Sequence, residues 1–123
     1  MRTVLIVDDH AAFRSAARLM LERGGFEVVG EAVDADTAVG AAARLRPDVV
    51  LLDVQLPGDD GIRTCERILD ASDGGGIAPP IVVLTSGRPL VTFRRRLADS
   101  RAIGFIPKTD LTAGGLSAVL AGS

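Results

Sequence analysis

Three short runs, Thr3 to Val7, Val49 to Leu52 and Ile81 to Leu84, are continuously apolar or β-forming and carry no polar alternation. A strand with one wet face alternates, so an unbroken run of this length predicts a strand covered on both faces, as in a parallel sheet. Parallel neighbours cannot be joined by tight turns and need crossovers, usually helical. The stretches between the runs have that character. Phe13, Ala17, Met20 and Leu21 fall at i, i+4, i+7 and i+8 and predict an amphipathic helix stopped by Gly24 and Gly25. Glu27 to Ala32 reads as a further strand. Asp34 is placed to cap a second helix carrying Ala38, Ala41, Ala42 and Leu45, which Pro47 ends. Ile62, Cys65 and Leu69 mark a third helical face, followed by a Gly/Pro-rich loop from Asp73 to Pro80 that is expected to be mobile.

Beyond the run at Ile81, a fourth helix is predicted after Pro89 with Leu90, Phe93 and Leu97 on its inner face. A short strand, Gly104 to Ile106, and a last helix from about Thr112 complete the chain. Gly114 and Gly115 each cost that helix about 1 kcal/mol relative to alanine, so packing must hold it. Five strands alternating with five helices predict an α/β fold, a doubly wound parallel sheet with helices on both faces, forming one domain over residues 1–123.

The bulk properties agree with this and narrow the function. With 47% hydrophobic and 24% charged residues and a net charge of -2, the chain is an ordinary globular protein with no general attraction to nucleic acid. Its apolar runs are far below the ~20 residues that span a bilayer, and no signal peptide opens it, so a cytoplasmic location is expected. Arg94, Arg95 and Arg96 read as a solvated helix face. The single Cys65 excludes an internal disulfide and reads as a buried structural residue; one His and one Cys exclude the usual zinc clusters.

In open sheets of this kind ligands bind beyond the carboxyl ends of the strands. There stand Asp8 and Asp9 after the first strand, Asp53 after the third, Thr85 after the fourth and Lys108 after the fifth. Three carboxylates at one edge repel by up to about 4 kcal/mol per pair at ~4 Å and an effective dielectric of roughly 20. Lys108 offsets part of this. A hard divalent cation with an oxygen shell, magnesium above all, would offset the rest.

These residues resemble the response-regulator receiver domains of two-component signalling over essentially the whole chain. The likeness rests on Val-Asp-Asp at 7 to 9, Leu-Leu-Asp-Val-Gln-Leu-Pro-Gly-Asp-Asp-Gly at 51 to 61, Leu-Thr-Ser at 84 to 86 and Gly-Phe-Ile-Pro-Lys at 104 to 108. Each element alone is weak, but together they come in order at the strand ends. The Asp-Asp-His opening looks most like the NarL/FixJ-type subgroup. The resemblance implies a flavodoxin-like, five-stranded sheet of order 2-1-3-4-5 and a phosphoacceptor at Asp53. It implies Mg2+ held by Asp9 directly, Asp8 through water, Asp53 and the Gln55 backbone carbonyl. Lys108 and the Thr85 hydroxyl would contact the phosphoryl group, with Thr85 and Phe105 as switch residues. The implied donor is a sensor histidine kinase. The output is a changed face of the fourth helix, fifth strand and fifth helix, through which a homodimer could form, with no direct nucleic-acid binding by this domain. Such a domain assists its own phosphorylation and dephosphorylation without being a turnover enzyme. His10 reads as a surface or loop residue, and Phe105 fits a core role as well as a switch role.

Two departures from the family pattern stand out. Relatives usually carry proline directly after the lysine, often with a cis peptide, whereas here Pro107 precedes Lys108 and Thr109 follows. A non-proline cis bond there would cost ~3 kcal/mol. Gly87, two residues after Thr85, replaces the larger side chain of many relatives and is expected to open the path of hydrolytic water. The main alternative is a phosphate-independent receiver-like interaction module. A phosphohydrolase of the haloacid dehalogenase type would want Asp-x-Asp after its first strand and a cap insertion, and a dinucleotide-binding fold would want a glycine-rich first turn; neither is present. A stand-alone receiver is favoured slightly over one cut from a DNA-binding regulator.

Overall fold

The computed structural model describes residues 1–73 and 78–122. Its elements run β1 (Thr3–Val7), α1 (Ala11–Arg23), β2 (Glu27–Ala32), α2 (Ala35–Leu45), β3 (Val49–Asp53), α3 (Gly61–Ser72), β4 (Ile81–Ser86), α4 (Arg94–Ala98), β5 (Gly104–Pro107) and α5 (Ala113–Ala121). The strands form one sheet in the order β2-β1-β3-β4-β5, with every neighbouring pair parallel. This is the expected doubly wound, flavodoxin-like topology, and the order reverses direction between β1 and β3, where such folds bind their ligands.

Successive strand residues point to opposite faces, and both faces here are dry. Val4, Ile6, Val49 and Leu51 pack with Leu21 of α1 and with Leu116 and Leu120 of α5. Leu5, Val7, Val50 and Leu52 pack with Ala38 of α2, Cys65 and Ile68 of α3, and Phe93. That double cover is why the strand runs lack polar alternation. Fully burying each such side chain is worth about 1.5–3 kcal/mol, so the central strands are the most strongly held part of the sheet.

The helix limits follow local chemistry. Asp34 caps α2 by accepting from the Thr37 amide at 2.8 Å, and α2 closes through Arg46, whose left-handed backbone (φ 49°) leads into Pro47. Gly24 ends α1 against the start of α5, where a Cβ would lie 2.1 Å from Ala113 Cβ. The glycine-containing α5 is held as anticipated. Thr112 Oγ1 accepts from the Gly115 amide at 2.8 Å, and Leu116 and Leu120 are buried.

The segment after Pro89 differs from the single helix expected. Leu90–Thr92 forms a 3-10 turn, and α4 is only five residues long. The β-branched Val91 and Thr92 resist the helical conformation, and the Phe93 amide bonds back to Leu90 O at 2.9 Å, three residues rather than four behind it. The inner face was read correctly, since Phe93 is buried while Leu90 and Leu97 are half-buried. The mobility expected for the loop after α3 falls on residues 74–77, outside the described residues.

Candidate functional site

Asp53 is the last residue of β3, and Thr85 lies directly opposite it in the β3–β4 register, so both side chains project to the same face. Asp8 directly follows β1, and all three are buried. Lys108, just beyond β5, brings Nζ to 3.1 Å from Asp53 Oδ2 and 2.5 Å from Asp8 Oδ2. One ammonium therefore bridges two carboxylates delivered by separate strands. The Asp53 contact is an aligned hydrogen bond, whereas buried Asp8 Oδ2 has the charge beside it but no aligned donor. Thr85 Oγ1 is also buried without a hydrogen-bond partner. Leaving a buried hydroxyl unmatched ordinarily costs about 1–3 kcal/mol, which marks the place as built for something beyond the chain itself.

The remaining contacts orient the carboxylates. Asp53 Oδ1 accepts from the Gln55 amide at 3.0 Å, and Asp8 Oδ1 accepts from the His10 amide at 2.8 Å. Asp9 is partly exposed at the rim. Asp8, Asp9 and Asp53, three carboxylates, face the single charge of Lys108. Hard oxygen donors in excess of positive charge, one of them a buried oxygen with no aligned donor, fit a divalent cation of the magnesium type.

The loop between Asp53 and α3 is held by Gly61, whose amide donates to Val54 O at 2.6 Å. A Cβ on Gly61 would stand 2.0 Å from the Asp53 carbonyl oxygen, so only glycine lets α3 begin this close to the acidic residue. Asp60 caps α3 through the Arg63 amide at 2.9 Å and pairs with Arg96 of α4 at 2.6 Å. Arg94 and Arg95 face solvent as read from the sequence.

The electrostatics follow from burial and neighbours. Burial pushes the Asp53 carboxyl above its ordinary range, and the adjacent Asp8 adds to this against the opposing Gln55 amide and Lys108. Burial acts the same way on Asp8, but Lys108 and the His10 contacts outweigh it and lower its pKa. Lys108 is raised: burial works against its charge, but Asp8 and Asp53 prevail. The two carboxylates are thus pushed apart, a pattern common at functional sites.

Residues 4–115 match the response regulator receiver domain family. The chain belongs to that family. The transcriptional regulatory protein PdtaR of Mycobacterium tuberculosis is 39% identical over 109 residues, covering 87% of this chain and 49% of that protein. The chain spans about half the length of the curated relatives it matches. Among solved structures, a LuxR-family two-component response regulator from Aurantimonas superposes with a TM-score of 0.82 at 28% identity, over 99% of this chain and 86% of that one. The signal receiver domain of NarL from Mycobacterium tuberculosis gives 0.79 at 29% identity, over 97% and 96%. These neighbours agree with the subgroup read from the Asp-Asp-His opening.

The receiver places the other singled-out residues as follows. Phe105 is half-buried, its ring centroid 6.3 Å from that of Phe93. Gly87 is exposed, and a Cβ there would meet nothing within 4 Å. Among the described residues no peptide bond is cis, so Lys108–Thr109 is trans. Cys65 is wholly buried, and burial together with Glu66 pushes its thiol up to about 12, the inert structural residue expected. No helix among the described residues is long and apolar enough to cross a membrane.

Sequence reasoning missed two members of this neighbourhood. Phe13 reads as one more core position of α1, yet its ring lies 4.5 Å below Lys108 Nζ, a cation–π contact that helps hold the ammonium. His10 is indeed a surface residue, but its Nδ1 lies 2.9 Å from Asp8 Oδ1 and 3.2 Å from Asp9 Oδ1, inside the acidic cluster rather than apart from it. Its position directly after the acidic pair was the only available signal.

Proposed function

We propose that this receiver is a phosphorylation-dependent switch of a two-component system in which Asp53 accepts a phosphoryl group from a sensor histidine kinase in a Mg2+-dependent reaction. The observation that carries the reading is the Lys108 ammonium set between Asp53 and Asp8, with the unpaired Thr85 hydroxyl on the same face. Phosphoryl transfer needs positioning and neutralised oxygens more than it needs covalent chemistry from the protein. An Asp53 carboxylate oxygen forms the bond to phosphorus while the P–N bond of the phosphohistidine breaks, and the departing imidazole takes a proton from solvent. Lys108 shifts its charge from Asp53 to the phosphoryl oxygens. Thr85 donates its hydroxyl to one of them and so loses its unpaired state. Asp9, Asp8 through water, Asp53 and the Gln55 carbonyl would hold Mg2+, which when bound neutralises the oxygens of the transferring group. Asp53 is consumed until hydrolysis restores it, so the chain acts as an acceptor and not as a turnover enzyme.

The output follows from the residues behind Thr85. Its inward movement would let Phe105 repack against Phe93 and shift α4, reshaping the face of α4, β5 and α5 for a partner or a second copy. No direct nucleic-acid contact by this domain is needed. PdtaR, a transcriptional regulatory protein, supports an output in gene regulation, and a cytoplasmic setting is part of the same proposal.

The test is the intact mass of the chain after incubation with acetyl phosphate and magnesium. The expected result is a gain of one phosphoryl group that requires magnesium and disappears in Asp53→Ala. No gain from acetyl phosphate or from a sensor kinase, where a control receiver reacts, would favour the phosphate-independent interaction module.

A further inference from the structure

We propose that His10 is a nitrogen ligand of the cation site, so that the site discriminates in favour of imidazole-binding divalent cations such as Ni2+ beyond what its carboxylates alone would do. The inference rests on the cation site of the preceding reading and concerns which metal it takes.

The geometry of the ring points to this. His10 stands at the N-cap position of α1, yet its side chain makes no capping hydrogen bond. Its backbone is fixed instead by its amide N–H, which donates to Asp8 Oδ1 at 2.8 Å, and the imidazole turns over the acidic pair. Nδ1 lies 2.9 Å from Asp8 Oδ1 and 3.2 Å from Asp9 Oδ1. Two adjacent ligands of an octahedral ion with bonds near 2.1 Å are themselves about 3 Å apart, so the 3.2 Å to Asp9 Oδ1, the direct carboxylate ligand of that reading, is the separation of neighbouring corners of one shell; the 2.9 Å to Asp8 Oδ1 is a hydrogen bond that Nδ1 gives up on turning to the ion. One ligand atom from each of Asp8, Asp9, His10 and Asp53 lies within 4.8 Å of all the others.

A second observation makes this more than a cluster of acids. Thr85 Oγ1 is buried and without a hydrogen-bond partner at the same strand ends, and Asp8 Oδ2 there has only the Lys108 ammonium beside it. The His10 side chain is 67% exposed, so ligation requires no buried charge and only a small ring adjustment. Imidazole suits the later first-row metals, whereas an all-oxygen shell suits magnesium, calcium and manganese. Replacing one oxygen or water corner by His10 therefore changes the order of preference and leaves the carboxylate site able to take magnesium.

The experiment uses the full chain without an affinity tag, which leaves His10 as its only histidine. Mg2+, Mn2+ and Ni2+ are titrated calorimetrically into wild type, His10→Ala and His10→Phe, the last keeping a ring without nitrogen. The expected result is a Ni2+/Mg2+ affinity ratio that falls by about tenfold or more in both variants, with Mg2+ affinity little changed. Pulsed electron paramagnetic resonance of the Mn2+-loaded chain should show an imidazole nitrogen coupling in wild type and none in either variant. If cations bind but the ratio is unchanged and the nitrogen coupling is absent in wild type, His10 only hydrogen-bonds the carboxylates and the proposal falls while the phosphorylation reading stands. If no divalent cation binds wild type, both fall.

Discussion

The β3–α3 and β4–α4 units start from the same kind of strand and end differently. Both strands are apolar runs that are buried almost throughout, and each delivers a polar residue, Asp53 or Thr85, to the same edge. After β3 a short loop is pinned by the Gly61 amide and leads into a twelve-residue helix that buries six of its residues. After β4 the exposed Gly87, Arg88 and Pro89 lead through a 3-10 turn into a five-residue helix with no buried residue of its own. Asp53, the proposed phosphoacceptor, is thus set on the tightly held unit and the hydroxyl residue at the head of the loosely held one. Local opening costs least where few apolar contacts are broken, so the second unit is the part that would move under the proposed shift of Thr85.

The largest effect should come from breaking the tight unit. Gly61→Ala puts a methyl group against the Asp53 carbonyl, and a loss of about 3 kcal/mol in urea unfolding is expected, with reduced phosphoryl uptake. A stability within experimental error of wild type would mean that the β3–α3 loop yields as easily as the β4–α4 loop. Next, native-state hydrogen exchange should run at least about a hundredfold faster at the amides of α4 than in the interior of α3. Equal protection would erase the contrast.

A smaller effect concerns the head of the loose unit. A Cβ at Gly87 meets nothing within 4 Å and the position is exposed, so Gly87→Leu should leave stability within about 0.5 kcal/mol and lengthen the phosphoryl lifetime several-fold. An unchanged dephosphorylation rate would remove Gly87 from the path of water. The smallest effect lies on the far side of the sheet. Burial works against the Glu31 carboxylate, but Arg18 and Arg14 hold its pKa below the ordinary value of 4.5. A carboxyl lowered on folding stabilises the protein above its unfolded pKa and loses that contribution as pH falls through the folded one. Glu31→Gln should therefore cost less than about 1 kcal/mol at pH 7, the pair being partly exposed, and the gap to wild type should close on acidification below the ordinary value. A gap independent of pH would show that packing, not charge, is what Glu31 supplies.

Much of the molecule was readable before its structure because the determining interactions are local or repeat along the chain. The apolar runs at Thr3, Val49 and Ile81, the Asp34 cap and the proline at 47 act through burial on two faces, side-chain capping and a missing amide hydrogen, and each is visible within a few residues. The order of the strands and the residues at their ends followed from the alternation and the family likeness. The fourth helix was found but its start was read too early, because Leu90, Phe93 and Leu97 do have helical spacing. Spacing does not register the cost of Val91 and Thr92 in the intervening turn.

The chain by itself thus determined which residues reach the carboxyl edge of the sheet, since a strand end needs only the local pattern to be located. Only the tertiary structure decided how they meet there. Lys108 bridging Asp8 and Asp53, the Phe13 ring beneath it, His10 turned over the acidic pair, and Gly61 against the Asp53 carbonyl depend on distances between segments far apart in sequence or on side-chain directions. Such contacts are set by the packing of helices on a twisted sheet, which leaves no periodic mark on the sequence.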